Sequence, residues 1–345
     1  MMGIRWNMSG WTYEKSGVSI DKKSDSIGSL VKELKYQRKG FGQQVRIPGL
    51  FASLIDFGDR YVTLATDGVG TKLLIAEELG IWDTIGIDCI AMNVNDTICV
   101  NAQPISFVDY IALDNPDGEI TEQIGIGLNK GAELSDMEIV GGEIAVLPEM
   151  VNGIDLSGTC MGVVDKKKVI TGEACEKGDL IVSLKSSGLH SNGLTLARKV
   201  IQANNIKMTD SVSGLTRSIG KELLTPTEIY VKQVMEITEN HEVHGLVDIT
   251  GGGLRNILRM RKGLRYTIDD PEKPQKIFEI IQELGQIEDK EIYQTLNMGM
   301  GFTIIAPEQE SEDIARKYSN AKIVGRVEEG NGVYFAPADT LYDHY

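Results

Sequence analysis

Residues 84–100 constrain this chain more than any other stretch. They carry Ile85, Ile87, Ile90, Ala91, Met92, Val94 and Ile98, enough apolar side chains for a helix that sees little water, and Pro104 follows shortly after their end at Asn101. The same residues include Asp88, Asn93, Asn95 and Asp96. On a helical period Asp88, Met92 and Asn95 share one stripe, with Asp96 beside it. Carboxylates on a buried helix are costly unless they are paired or bind a metal. Either they cap neighbouring loops or they form a metal or ligand site, and the second reading is favoured.

Just before this helix stands Thr66-Asp67-Gly68-Val69-Gly70-Thr71-Lys72. Residues 61–65 read as a strand, and Thr71 reads as the cap of a short helix, residues 72–79, that Gly80 stops. Gly68 and Gly70 let the backbone turn sharply and leave room for a ligand. Asp67 is then either a turn residue or a ligand-binding carboxylate at a strand end, and Lys72 either a solvated cation or a phosphate partner. A single glycine-rich loop does not decide between them.

The length of 345 residues accommodates two domains. A formal net charge of −15 argues against a basic nucleic-acid-binding surface but leaves room for a phosphorylated small molecule. The absence of a long apolar run and of a signal-peptide pattern at residues 1–6 gives the expectation of a soluble, cytoplasmic protein without a membrane segment. Cys89, Cys99, Cys160 and Cys175 have no CxxC spacing and read as reduced, partly buried side chains.

Strands and helices alternate along the rest of the chain. The first 50 residues read as irregular apart from a helix at 26–34 and a basic, flexible stretch at 38–42. Strands are expected at 105–113, 137–140 and 155–164, with a helix at 121–134; the run Asp165-Lys166-Lys167-Lys168 reads as an interdomain joint. The second half reads as strands at 179–184, 243–249, 302–306 and 321–327, and helices at 194–203, 227–239 and 308–318. Both halves are α+β, with boundaries at 1–168 and 169–345. Four polar, glycine-rich loops follow strands, near Asp67, Glu143, His190 and Gly251. Backbone N–H groups at such turns bind anions, and carboxylates among them suit Mg²⁺, which shares its oxygen ligands with phosphates. Neither a GxxxxGK[ST] nor a convincing GxGxxG motif is present. His190, set among Ser187, Gly188, Ser191, Asn192 and Gly193, reads as functional.

Asp67-Gly68-Val69-Gly70-Thr71-Lys72, Asp83-Thr84-Ile85-Gly86-Ile87-Asp88, Val94-Asn95-Asp96, Gly141-Gly142-Glu143, Ser187-Gly188-Leu189-His190-Ser191-Asn192-Gly193, Ile249-Thr250-Gly251-Gly252-Gly253 and Asn297-Met298-Gly299 occur in this order. The ordered set closely resembles the phosphoribosylformylglycinamidine cyclo-ligase (aminoimidazole ribonucleotide synthetase) family of purine biosynthesis, over about residues 13–336. The resemblance implies two α/β domains and a homodimer in which N-terminal half-barrel sheets pair. It implies an ATP-dependent ring closure: the formamide oxygen attacks the γ-phosphorus, the amidine nitrogen attacks the activated carbon, and phosphate leaves. Asp67, Asp96 and Glu143 are then expected to hold Mg²⁺ against ATP. Lys15 and Lys72 would meet phosphate oxygens, Asn95 would orient Asp96 or a metal-bound water, and Gly68, Gly70, Thr71, Gly141 and Gly142 would line the nucleotide. Ser187, Gly188, His190, Ser191, Asn192, Gly251, Gly252 and Gly253 would receive formylglycinamidine ribonucleotide. Asp67, Asp96 and His190 are the expected catalytic residues, with His190 moving a proton or positioning the formamide.

The chain departs from the family where GGETA is usual, reading Gly141-Gly142-Glu143-Ile144-Ala145, and where a richer glycine loop is usual, reading Gly40-Phe41-Gly42. Neighbouring families fit less well. A selenophosphate synthetase needs a reactive cysteine near the N-terminus, and none precedes Cys89; hydrogenase maturation factors end in cysteine, whereas this chain ends in Tyr345. The Gly-Asp-Asp of thiamine-monophosphate kinases is missing. A non-catalytic nucleotide sensor would have lost carboxylates that are present here.

Overall fold

In the strand Ile154–Asp165 every second residue is buried: Leu156, Gly158, Cys160, Gly162 and Val164 face a core, while Ser157, Thr159, Met161 and Val163 face the other way. This period of two builds a sheet with one face packed and one open. The computed structural model describes residues 10–18 and 20–344; the start of the chain, read above as lacking a leader pattern, lies outside them. The first sheet contains β1 (Gln44–Val45), β2 (Ser53–Phe57), β3 (Arg60–Gly68), β4 (Gln103–Leu113), β5 (Glu138–Val146) and β6 (Ile154–Asp165), in the order β1-β2-β3-β6-β4-β5. Before it comes α1 (Ile20–Glu33); within it are α2 (Leu73–Leu79), α3 (Ile85–Ile98) and α4 (Gly118–Ser135).

The second sheet contains β7 (Leu180–Lys185), β8 (Gly245–Asp248), β9 (Leu264–Ile268), β10 (Met300–Ala306), β11 (Ala321–Glu329), β12 (Gly332–Phe335) and β13 (Thr340–Tyr342), in the order β13-β12-β9-β11-β7-β10-β8. With it go α5 (Leu194–Ala203), α6 (Ile219–Leu223), α7 (Val231–Asn240), α8 (Lys276–Gly285), α9 (Asp289–Tyr293) and α10 (Glu308–Lys317). One apolar core runs through both halves, joining Val69, Leu73 and Val94 to Leu194, Leu223 and Tyr230. Among the described residues no helix is long and apolar enough to cross a membrane.

Several elements differ from the sequence reading. The strand expected at 137–140 runs on through Gly141, Gly142 and Glu143 as β5, because β4 offers it a parallel partner as far as Val146. Thr71 makes no cap; a 3-10 turn, Gly70–Lys72, leads into α2, and the Thr71 hydroxyl sits 2.9 Å from that of Thr195 in the other half. Gly80 does close α2, in the left-handed region at φ 64°. The helix expected from 227 begins only at Val231, since residues 225–230 form an irregular segment bonded to the first half through Lys72, Asp88 and Asn95. The four cysteines are fully buried, not partly so, and burial raises their thiol pKa values.

The helix α3 is the element on which the site stands. It lies on the covered face of the first sheet, where a Cβ on Gly162 would come 2.5 Å from Thr97 Cγ2. It crosses α4 with backbones touching: a Cβ on Gly86 would fall 2.1 Å from the Leu128 nitrogen, and one on Gly127 2.7 Å from the Asp83 oxygen. Backbone cannot rotate aside as a side chain can. Gly86→Ala is therefore expected to lower stability by about 1–3 kcal/mol, the usual range for overpacking. Urea unfolding measures this, and an unchanged midpoint would show that the two helices can separate without loss.

Candidate active site

The end of β3 brings Asp67 to the face covered by α3. Asn93 of that helix fixes its backbone with two hydrogen bonds: the Asp67 N–H donates to Asn93 Oδ1 at 2.9 Å, and Asn93 Nδ2 donates to the Asp67 oxygen at 3.2 Å. The carboxylate itself takes the Gly68 N–H at 2.7 Å and stays exposed. One turn of α3 further on, Asp96 is partly enclosed. Burial, and then the charge of Asp67, push its carboxyl up to about 7, against the opposing pull of Arg259. Asp248, the last residue of β8, is only 3% exposed; burial and the charges of Asp96 and Asp67 raise its pKa well above the usual carboxylate range, again opposed by Arg259. Asp67, Asp96, Asp248 and Arg259 thus feel one another's charge across the two halves. Arg259 ends the 3-10 segment Gly253–Arg259 that follows the glycine run, and its guanidinium lies 4.2 Å from the Phe51 ring centre.

The stripe Asp88, Met92 and Asn95 on α3 faces the second domain. Asp88 Oδ1 accepts from Lys72 Nζ at 2.8 Å, from the Thr227 N–H at 2.7 Å, from Thr227 Oγ1 at 2.6 Å and from Ser191 Oγ at 3.2 Å. Asn192 Nδ2 approaches Met92 Sδ at 3.8 Å. Asn95 Oδ1 accepts the Tyr230 N–H at 3.2 Å, and its Nδ2 donates to the Glu228 oxygen at 2.9 Å. Asn95 is therefore bonded across the domain boundary, and the expected role of orienting Asp96 is corrected. Lys72 is corrected too: it is fully buried, and its ammonium is bonded to Asp88 and, at 2.7 Å, to the Thr225 oxygen, so it does not reach a phosphate from here.

Glu143 stands apart from Asp67 and Asp96. On β5 it pairs with Tyr110, which pairs with Ser157, all on the open face of the sheet. Asp67 pairs with Gly158 on the covered face, where Phe107 is buried. Within one chain the expected Asp67–Asp96–Glu143 set is therefore not assembled, because register puts its third member on the wrong face. Gly141 and Gly142 lie on the same strand. Lys15 donates its ammonium to the Gly10 oxygen at 2.6 Å and lines a cavity with Gln286, Glu288 and Glu291 of the second domain. Among the described residues no three His, Cys, Asp or Glu side chains are grouped so as to enclose a metal ion.

The 187–193 loop is held by its own polar groups. His190 lies in the left-handed region at φ 63°, a conformation that a side chain resists. It is 4% exposed, and its Nε2 accepts the Ser187 N–H at 3.3 Å and the Glu228 N–H at 3.5 Å. The acceptor role leaves the ring neutral with its proton on Nδ1. Burial, and then the charge of Lys72, push its pKa down to about 3. The Gly188 oxygen accepts from Asn297 Nδ2 at 2.9 Å. In the facing glycine run, a Cβ on Gly251 would meet Asn192 Oδ1 at 3.0 Å, and Gly253, at φ 52°, has the Tyr293 oxygen where a Cβ would be.

Comparison with known proteins gives this cleft a family. A model described as AIR synthase related protein, N-terminal domain, matches residues 51–164, and its C-terminal counterpart matches residues 176–336. A phosphoribosylformylglycinamidine cyclo-ligase of Methanococcoides burtonii is 49% identical over 92% of this chain and 95% of its own, and one of Methanosarcina barkeri is 47% identical with the same coverage. The chain belongs to the phosphoribosylformylglycinamidine cyclo-ligase family. Among solved structures, AaThiL complexed with AMPPCP and TMP shares the fold, with a TM-score of 0.66 over 94% of this chain and 97% of that one, at 18% identity.

Sequence pattern alone does not mark Asp248, Arg259 or the segment 225–230. Asp248 directly precedes the Ile249-Thr250-Gly251 motif, which was the only available signal. Nothing marked Thr227, whose partner lies 139 residues away.

The depressed pKa of His190 gives a test with a fixed sign. The folded value lies below the ordinary 6.5, so the unfolded chain binds the extra proton. The stability of the neutral ring is complete above 6.5 and is lost as pH falls from there toward about 3. His190→Asn keeps an acceptor and tolerates left-handed backbone. Between about pH 7.5 and about pH 5, the wild-type chain is expected to lose about 2 kcal/mol more stability than this variant. Parallel denaturation curves with no such difference would refute the buried neutral histidine.

Proposed function

We propose that this protein closes the imidazole ring of formylglycinamidine ribonucleotide at the expense of ATP, giving aminoimidazole ribonucleotide, ADP and phosphate, in the purine pathway of the cytoplasm. The observation that carries this reading is the alignment with cyclo-ligases over 92% of this chain. Residues 1–168 are assigned to ATP and to pairing with a second copy, and residues 169–345 to the ribonucleotide.

The chain's own groups supply alignment and charge control, which is what phosphoryl transfer requires. Asp67 and Asp96 are the oxygen donors that would hold Mg²⁺, with phosphate oxygens completing its shell. Burial first, and then the charge of neighbouring carboxylates, raises the pKa values of Asp96 and Asp248, and a divalent cation would offset that repulsion. Bound there, the cation would neutralise the charge of the triphosphate. Arg259 brings positive charge to the same place. Gly68 and Gly70 leave the backbone open beside Asp67. The 187–193 loop leads into α5, whose N-terminus has no side-chain cap; its N–H groups and positive end favour the ribose 5′-phosphate. Asn192 borders the glycine run and can hydrogen-bond the substrate. His190 serves by holding the loop, since a ring kept neutral and bonded through Nε2 to two backbone N–H groups is a poor proton carrier near neutral pH. The formamide oxygen, brought in line with the γ-phosphorus, displaces ADP. The amidine nitrogen then attacks the activated carbon, and the C–O bond breaks with loss of phosphate.

A coupled assay of the purified protein with formylglycinamidine ribonucleotide and ATP tests this, with ADP and aminoimidazole ribonucleotide appearing together. In Asp67→Asn and Asp96→Asn the loss of one preorganised charge is expected to lower kcat/KM by about 2–4 kcal/mol in transition-state terms without unfolding the protein. No ribonucleotide-dependent ADP release from the wild-type protein would overturn the function; normal turnover in both variants would overturn the site.

The open face of the first sheet presents Leu64, Val108 and Tyr110, each at least 40% exposed. A second copy laid against it would close the half-barrel. Sedimentation is expected to give about twice the 37.8 kDa chain mass, and Val108→Glu with Tyr110→Glu to give the single chain. A wild-type monomer at micromolar concentration would contradict the pairing.

A further inference from the structure

The segment 225–230 is bonded on one side to Lys72 and α3 of the first half and on the other to the 187–193 loop. The Thr225 oxygen takes Lys72 Nζ at 2.7 Å, and the Pro226 oxygen takes Ser187 Oγ at 2.5 Å. Thr227 gives its N–H and its hydroxyl to Asp88, while the Glu228 N–H reaches His190 and the Glu228 oxygen takes Asn95 Nδ2. Lys72 ends the Asp67 loop, and Ser187, His190 and Ser191 belong to the ribonucleotide loop. A single oxygen stands where these paths cross: Asp88 Oδ1 accepts from Lys72, from Thr227 twice and from Ser191. Asp88 Oδ2, equally buried, has no partner. Four donors on one oxygen cannot be adjusted independently. A shift of either loop disturbs the bonds of the other, and a packed interface answers such a disturbance by moving between discrete arrangements.

We propose that Asp88 and Thr227 are positioning residues that couple the two substrate sites, so that occupation of the Asp67 loop by ATP prearranges the 187–193 loop for the ribonucleotide, and the reverse. This rests on the assignment of ATP to the first loop and formylglycinamidine ribonucleotide to the second. It goes beyond that assignment in giving the buried pair Asp88 and Thr227, which is not among the residues assigned to either substrate, a part in the reaction. Linkage requires the effect to be reciprocal. It favours the doubly occupied enzyme, in which formamide oxygen and γ-phosphorus are both in place, over either half-filled state.

The test is calorimetric binding of a non-hydrolysable ATP analogue with Mg²⁺, with and without saturating formylglycinamidine ribonucleotide. In the wild-type protein the ribonucleotide is expected to tighten analogue binding by about five- to a hundredfold. Thr227→Val keeps the side-chain shape and the backbone bond to Asp88 but loses the hydroxyl bond. Its coupling factor is expected to fall to within about threefold of one, with each ligand bound alone within about threefold of wild type. Thr227→Ser should restore the coupling. Asp88→Asn should abolish it, and if that variant does not fold, Thr227→Val carries the test. A purely structural cluster would instead lower thermal stability and leave the coupling factor intact. That result, or a wild-type factor of one, overturns the proposal. Wild-type protein that binds no ribonucleotide at all would overturn the assignment of substrates on which it rests.

Discussion

A carboxylate cut off from water must be satisfied by protein groups, and at Asp88 this requirement joins the two halves of the chain. Removing an aspartate and a lysine from water costs several kcal/mol for each ion, and their attraction repays this only with good geometry and further hydrogen bonds. Lys72 and Asp88 have both, but only because Thr225, Thr227 and Ser191 arrive from the second domain. The placement of the 187–193 loop against α3 follows from that. An apolar pair of similar volume at positions 72 and 88 would often serve stability as well or better. A fully buried ion pair at this junction therefore argues for a task that hydrophobic packing would not perform.

A few residues along α3 the balance is opposite. Asp67, Asp96 and Asp248 act on one another with Arg259 as an opposing positive charge, and burial, then this repulsion, raises the pKa values of Asp96 and Asp248. Where Asp88 Oδ1 is fully engaged by protein donors, this group carries an excess of negative charge. The two clusters divide the labour of a single helix. One holds the domains in register, and the other offers charge to whatever enters between them.

The sequence made α3 legible because its apolar residues and its polar stripe follow one period, and both survive folding. It made the glycine loops legible because a turn that admits only glycine leaves a mark in composition. Glu143 was misplaced for a definite reason: a glycine pair ordinarily ends a strand, but pairing with β4 carried β5 straight through it, and a strand residue takes its face from register, which a single sequence does not display. Lys72 looked like a phosphate ligand because an exposed lysine and a buried one are the same letter; Thr225 and Asp88, its partners, are 153 and 16 residues away. Asp248 and Arg259 belong to the cleft through β8 pairing and a 3-10 turn, neither of which has a periodic signature. Propensity located the elements, and long-range pairing decided what their side chains meet.

The irregular segment 225–230 also bears on how the molecule is made. A ribosome delivers α3 well before residue 230, so Lys72, Asp88 and Asn95 first stand on a domain that has nothing to cover them. Until the second half is synthesised, those groups keep their water, and the apolar neighbours Val69, Leu73 and Val94 lack the contacts of Leu194, Leu223 and Tyr230. The first domain is thus completed in two stages. Its sheet and helices can form as they emerge, while the surface meant for the cleft stays hydrated and comparatively loose. Final dehydration of Lys72 and Asp88 is then an act of domain docking, one that sets the two catalytic halves in alignment at the moment the chain becomes whole.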